Sequence, residues 1–151
     1  MQSELRTACG VWRAAQKGKL VSSVQLKSLT KTFALSVVRL VDEFPNRRAG
    51  WVIGDQLMRS GTSVGANYRA ASRARSRREF IAKMGIVEEE ADESEYWLEL
   101  AVDAGLVEGE RVGQIRDDAR HIVAKTVLSI RRARGTPLAA PHATRRTQNV
   151  H

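Results

Sequence analysis

Pro45, Pro137 and Pro141 are the only prolines in the chain, so Asn46 to Thr136 lacks the residue that most reliably ends a helix. That interval can be helical almost throughout. Within it and just before it, apolar residues recur at steps of three and four, the spacing that lines one face of a 3.6-residue helix, and strand-like alternation is not sustained anywhere. The pattern predicts an all-α fold.

Four helices can be placed. The first is expected to begin near Ser28, to carry Leu29, Phe33, Val37, Leu40 and Phe44 on one face, and to stop at Pro45, because a residue preceding proline is pushed out of the α region. The second is expected from about Gly50 to Ala71, with Trp51, Leu57, Val64 and Tyr68 as large contacts and Gly61, Ser63 and Gly65 as small ones. A glycine inside a helix costs about 1 kcal/mol relative to alanine. Gly61 and Gly65, one turn apart, therefore predict the close approach of a neighbouring helix.

The third helix has the clearest start, since Ser76 and Glu79 form the S-x-x-E capping box. Phe80, Met84, Val87, Ala91, Ser94, Leu98 and Ala101 follow as a heptad seam that ends at Gly105. A similar seam runs through Val112, Ile115, Ala119, Ile122, Thr126, Ser129 and Ala133, and Gly135 and Pro137 stop it. Short connections between facing seams predict an antiparallel up-and-down four-helix bundle over residues 28–134. Residues 1–27 are expected to be a weakly ordered, flexible N-terminal extension with one short amphipathic stretch (Leu5, Ala8, Trp12, Ala15). Residues 135–151 read as a flexible, disordered basic tail.

Composition narrows the class further. With 151 residues and 42% apolar content, one domain can build its core without disulfides or a structural metal. Cys9 stands alone, and His121, His142 and His151 are too scattered to form a zinc site with it. No apolar run approaches the roughly 20 residues that span a bilayer, and none has signal-peptide length at the N-terminus. A cytoplasmic protein with no membrane association is expected.

Charge is segregated along the chain far more than the net +8 conveys. Up to Lys83 there are 16 basic and 5 acidic residues; Met84 to Glu110 hold 10 acidic and no basic ones; the remainder holds 9 basic and 2 acidic. Arg69, Arg73, Arg75, Arg77 and Arg78 crowd the junction of the second and third helices, where the third helix already carries a partial positive charge at its amino end. An anionic partner would explain the arrangement, because phosphate oxygens would meet guanidinium forks and free backbone N–H groups there. The alternative is a solvated arginine-rich turn.

The acidic block poses the converse problem. Glu88 with Asp92, Glu89 with Glu93, Glu95 with Glu99 and Glu99 with Asp103 are like charges at i,i+4. Arg39, Arg47, Arg48, Arg59, Arg116 and Arg120 are candidates to compensate them, from other helices or from another subunit. Trp97, Leu100 and Ala104 add apolar surface beside the seam and are candidates for an oligomer interface, against the alternative that Trp97 merely widens the core.

Catalytic patterns fail on context. Gly61-Thr62-Ser63-Val64-Gly65 matches G-x-S-x-G, but a nucleophile elbow needs a preceding strand and an α/β sheet. Asp118 with His121 is the only pair resembling a di-iron Glu-x-x-His motif, and it lies off the seam of the fourth helix. No phosphate-cradling G-x-x-x-x-G-K loop occurs. The chain is read as non-enzymatic, with no cofactor and no metal.

The stretch from Ile53 to Arg69, with Ser63-Val64-Gly65-Ala66-Asn67-Tyr68 at its heart, resembles the signature of the bacterial four-helix bundle protein family first met in intervening sequences of large-subunit ribosomal RNA genes. Glu79 to Lys83, Glu95 to Leu100 and Ala104-Gly105-Leu106 are similar to the third helix of that family, and Phe44-Pro45 to the end of its first. The likeness covers roughly residues 26–134. A related bundle, the accessory variability protein of diversity-generating retroelements, is a pentameric barrel that binds nucleic acid and a reverse transcriptase, so the resemblance implies a basic homo-oligomer. It carries over no catalytic residues. One departure stands out: Ala70 follows Arg69 where many relatives have glutamate, which removes a negative charge from the arginine cluster.

Two functions remain in view. In the first, the bundle contacts the phosphates of RNA or DNA through Arg69 to Arg78, aided by Arg131, Arg132 and Arg134. In the second, it is a protein-interaction scaffold whose acidic third helix and basic junction pair between subunits, with no nucleic-acid role.

Overall fold

The computed structural model describes residues 23–135. Four helices run up and down: α1 over 23–42, α2 over Arg48–Ala71, α3 over Arg77–Asp103 and α4 over Gly109–Arg134. No strand occurs among the described residues. The expected flexible extension up to residue 22, with Cys9, and the tail from residue 136 lie outside them.

Helix α1 is under way by residue 23, five residues before the expected start at Ser28. The reason is a polar member of its stripe. Leu26, Thr30, Phe33, Val37 and Leu40 are buried in steps of four and three, and Thr30 satisfies its hydroxyl by donating to the Lys27 carbonyl at 3.1 Å. Leu29 and Phe44, expected on that face, are only half-buried.

Helix α2 faces α1 with its small residues. A Cβ at Gly61 would sit 2.8 to 3.0 Å from three side-chain atoms of Val37, and one at Gly54 3.0 Å from Cγ1 of Val41. Gly65 makes only ordinary contact, 3.5 Å from the Thr30 carbonyl oxygen. The expected close approach is therefore present and is centred on Gly61. Trp51, expected inside, is 60% exposed. Gly50, Ile53 and Gly54 occupy the inward positions of that turn, which rotates Trp51 outward, and its indole N–H donates to Asn46 Oδ1 at 2.8 Å.

Helix α3 starts as its capping box predicts: Ser76 Oγ accepts the Glu79 N–H at 3.0 Å. The return bond differs by one residue, because Glu79 accepts from the N–H of Arg75 at 2.8 Å rather than from that of Ser76. Its far end closes in a Schellman arrangement. Gly105 adopts φ +63°, its N–H reaches the Val102 carbonyl, and the Leu106 N–H reaches that of Ala101, both at 2.9 Å.

Helix α4 keeps its expected seam through Thr126, after which Ile130 is buried instead of Ser129. A straight helix drifts by about 20° per heptad against a strict 3.5-residue repeat, so after two heptads the inward position falls one residue later. Gly135, at φ +75°, ends the helix.

Phe33, Val37, Leu57, Val64, Met84, Val87, Leu98 and Ile122 form a continuous core between the four helices. Ile53, Ala101 and Leu106 make a second cluster toward the α2 start and α3 end. No described helix is long and apolar enough to cross a membrane.

Candidate nucleic-acid interface

Antiparallel packing gathers one end of each helix at one end of the bundle. There the C-terminus of α2, the turn 72–76, the N-terminus of α3 and the C-terminus of α4 meet. Arg69, Arg73, Arg75, Arg77, Arg78, Arg131, Arg132 and Arg134 are all exposed. Arg77 joins the two groups: its guanidinium donates to the Ala133 carbonyl at 3.3 Å. Residues more than fifty positions apart in sequence thus share one surface.

Helix electrostatics accounts for part of this set. Arg69, Arg131, Arg132 and Arg134 occupy last turns, where a cation is favoured by a few tenths of a kcal/mol. Arg77 and Arg78 occupy the first turn of α3, where the helix opposes them by a similar amount, and only Arg77 is offset by the α4 carbonyl it caps. Among the described residues, none of the eight is paired with a carboxylate; the ion pairs engage Arg59, Arg111, Arg116 and Arg120.

The same end holds two cations that the sequence pattern did not single out. The Tyr68 hydroxyl donates to the Ser23 carbonyl at 3.0 Å, and Gly65 lies against Thr30, so the first turns of α1 sit beside the last turns of α2. Lys27 and Lys31, both exposed, fall in those turns. The signal was the antiparallel order of the helices. Burial also pushes the Tyr68 hydroxyl above the usual tyrosine pKa, keeping it a neutral donor.

Most of the acidic block lies on α3 beyond this end, and three of its ten carboxylates, Glu93, Glu95 and Glu99, are ion-paired within the described residues. Arg59 reaches Glu93 at 2.8 Å from α2, and from α4 Arg120 reaches Glu95 at 2.6 Å while Arg116 lies 3.5 Å from Glu95 and 3.6 Å from Glu99. Arg47 donates to the Ala104 and Gly105 carbonyls at 2.9 and 3.2 Å, a cation at the C-terminus of α3. Arg111 pairs with Glu43, tying the start of α4 to the end of α1. Arg39 and Arg48 make no ion pair among the described residues.

Glu90 stands apart within the block. Burial pushes its carboxyl above the usual range, nearby Glu93 adds to the rise, and Arg59 and the Ser63 hydroxyl pull it back; its Oε2 has no partner.

Trp97, Leu100 and Ala104 are partly buried and pack on the second core cluster. The Trp97 indole donates to Glu93 Oε1 at 3.0 Å, and its ring stands edge-on to that of Tyr96 with centroids 5.0 Å apart. Trp97 thus packs on the core and keeps part of its surface open, while Tyr96 beside it is 57% exposed.

Gly61 to Gly65 is interior to α2 with no strand before it. His121 is exposed on α4, and Asp118 accepts from Gln114 at 3.0 Å. No group of three or more His, Cys, Asp or Glu side chains among the described residues is placed to hold a metal ion.

Comparison with known proteins agrees with this architecture. Residues 23–127 match the model of the 23S rRNA-intervening sequence protein family. A crystal structure of a protein of unknown function from the S23 ribosomal protein family of Bacteroides thetaiotaomicron is similar, with 37% sequence identity and a TM-score of 0.66, covering 70% of this chain and 97% of that one. No curated protein matches. The matched span contains all of α1, α2 and α3 and most of α4, and the chain belongs to the 23S rRNA-intervening sequence protein family.

Proposed function

We propose that the chain is a non-enzymatic, self-associating nucleoprotein accessory that binds RNA or DNA by contacting phosphates with the basic end of its bundle. One observation carries the reading: eight exposed arginines from three chain segments share one surface, and among the described residues none of their guanidinium groups is ion-paired with a carboxylate. Arg78 is the most telling of them, since its place in the first turn of α3 costs the helix stability and an anion there would reverse the sign. Binding of this kind releases counterions. If about five phosphates are neutralised, the logarithm of affinity falls with the logarithm of salt concentration at a slope near −4.

A salt-titrated binding assay on the full chain, combined with its mass by light scattering, tests the proposal. Neutralising Arg73, Arg77 and Arg78 to glutamine is expected to abolish most binding and leave the assembly intact. A flat salt response, or unchanged affinity in the triple variant, refutes it. The scaffold reading, in which those arginines hold subunits together, requires the assembly itself to weaken. Arg59, Arg116 and Arg120 of the same chain already pair with Glu93, Glu95 and Glu99, which leaves fewer carboxylates of α3 for that alternative.

A further inference from the structure

The geometry points to a double-stranded nucleic acid, bound without regard to sequence, as the partner of the basic end; this rests on the phosphate-binding reading above. Proteins that hold single strands combine a cationic groove with aromatic faces on which bases stack, each worth about 1–3 kcal/mol. Such faces are missing from this end of the described structure. Among the described residues, the exposed aromatic rings are those of Trp51 and Tyr96. At 1.5 Å per residue, Trp51 lies roughly 27 Å along α2 from Arg69, and Tyr96 roughly 28 Å along α3 from Arg77. The two rings nearest the arginines are already engaged, Tyr68 buried with its hydroxyl on Ser23 and Phe80 half-buried against the core.

The acidic block closes the route between the arginines and the distant rings. Glu88, its first member, stands roughly 16 Å along α3 from Arg77, so a strand that left the basic end toward Tyr96 would run over a carboxylate face. Among the described residues, charge is what remains at this end to bind with, and charge alone favours the ligand with the densest phosphates. A duplex carries one negative charge per roughly 1.7 Å of axis, and each neutralised phosphate contributes about −0.9 to the salt slope, against about −0.7 on a single strand. The arginines also come from neighbouring helices, whose axes lie about 8–10 Å apart, and their long side chains extend that reach to both strands flanking a groove about 12 Å wide.

The test uses the full chain with mixed-sequence RNA and DNA duplexes of about 20 base pairs, their separate strands, and unstructured oligo-U and oligo-dT, read by fluorescence anisotropy across salt. At least one duplex is expected to bind tenfold or more tighter than its strands, with no dependence on sequence; the RNA and DNA arms show which backbone form is preferred. Trp51→Ala and Tyr96→Ala are expected to leave affinity unchanged. Single strands bound as tightly as duplexes, or a tenfold loss in either aromatic variant, overturn the duplex assignment while leaving phosphate binding in place. No binding to any of the oligonucleotides overturns phosphate binding as well.

Discussion

The Arg77 guanidinium donates to the Ala133 carbonyl across 3.3 Å, which fastens the first turn of α3 to the last turn of α4. Its neighbour Arg78 has the same charge at the same helix end and no such bond. The two residues should therefore respond oppositely when truncated.

Arg77→Ala is expected to lower stability by about 0.5–1 kcal/mol, because it uncaps α4. Arg78→Ala should raise it by a few tenths of a kcal/mol, since it removes a cation from a positive helix end. Urea denaturation of both variants at low ionic strength reads the difference, and equal losses would contradict the assigned electrostatics.

At Gly61 the space for a methyl group is already filled by Val37. Gly61→Ala should destabilise by about 1–3 kcal/mol despite the better helix propensity of alanine, whereas Gly85→Ala, where nothing lies within 4 Å, should stabilise by about 0.5–1 kcal/mol. Adding Val37→Ala is expected to recover part of the Gly61→Ala loss in a double-mutant cycle.

Ser94 Oγ lies 2.9 Å from Ser60 Oγ in the dry interface of α2 and α3. Ser94→Ala removes one side of that contact and should cost about 1 kcal/mol, while the Ser60→Ala, Ser94→Ala pair should cost less than the two single changes together. Thermal unfolding of the four proteins measures the coupling.

Glu90 predicts a pH dependence of definite sign. A carboxyl whose pKa is raised in the folded state binds more protons folded than unfolded, so its contribution weakens the fold as pH climbs from the ordinary carboxylate range through the raised value. Above that the penalty is constant. Glu90→Gln should gain up to about 1 kcal/mol at neutral pH and lose that advantage as pH falls below the ordinary carboxylate range, where the carboxyl is neutral both folded and unfolded. Melting curves across that range decide it.

Local rules made the ends of the helices and much of the core legible. Ser76 and Glu79 mark the start of α3, Gly105 and Gly135 mark two ends with left-handed backbone, and the seam from Met84 to Ala101 is buried. The departures all involve information that one helix does not contain. Trp51 turned outward because glycines took the inward positions against α1, and Thr30 joined the core because its hydroxyl could be satisfied by its own helix. Ile130 replaced Ser129 through accumulated helical drift. The arginines at 69–78 and at 131–134 could be grouped from the expected bundle, but adding Lys27 and Lys31 required the packing of the first turns of α1 beside the last turns of α2.

Among the described residues, the separation of cations at one extremity from carboxylates along the third helix gives the bundle an uneven charge distribution and with it an electric moment. Near any polyanion, this moment exerts a torque that turns the arginine pole forward before contact, raising the fraction of productive collisions at low ionic strength. Added salt would then slow arrival as well as loosen the complex, since the orienting field decays within about 10 Å at 0.1 M.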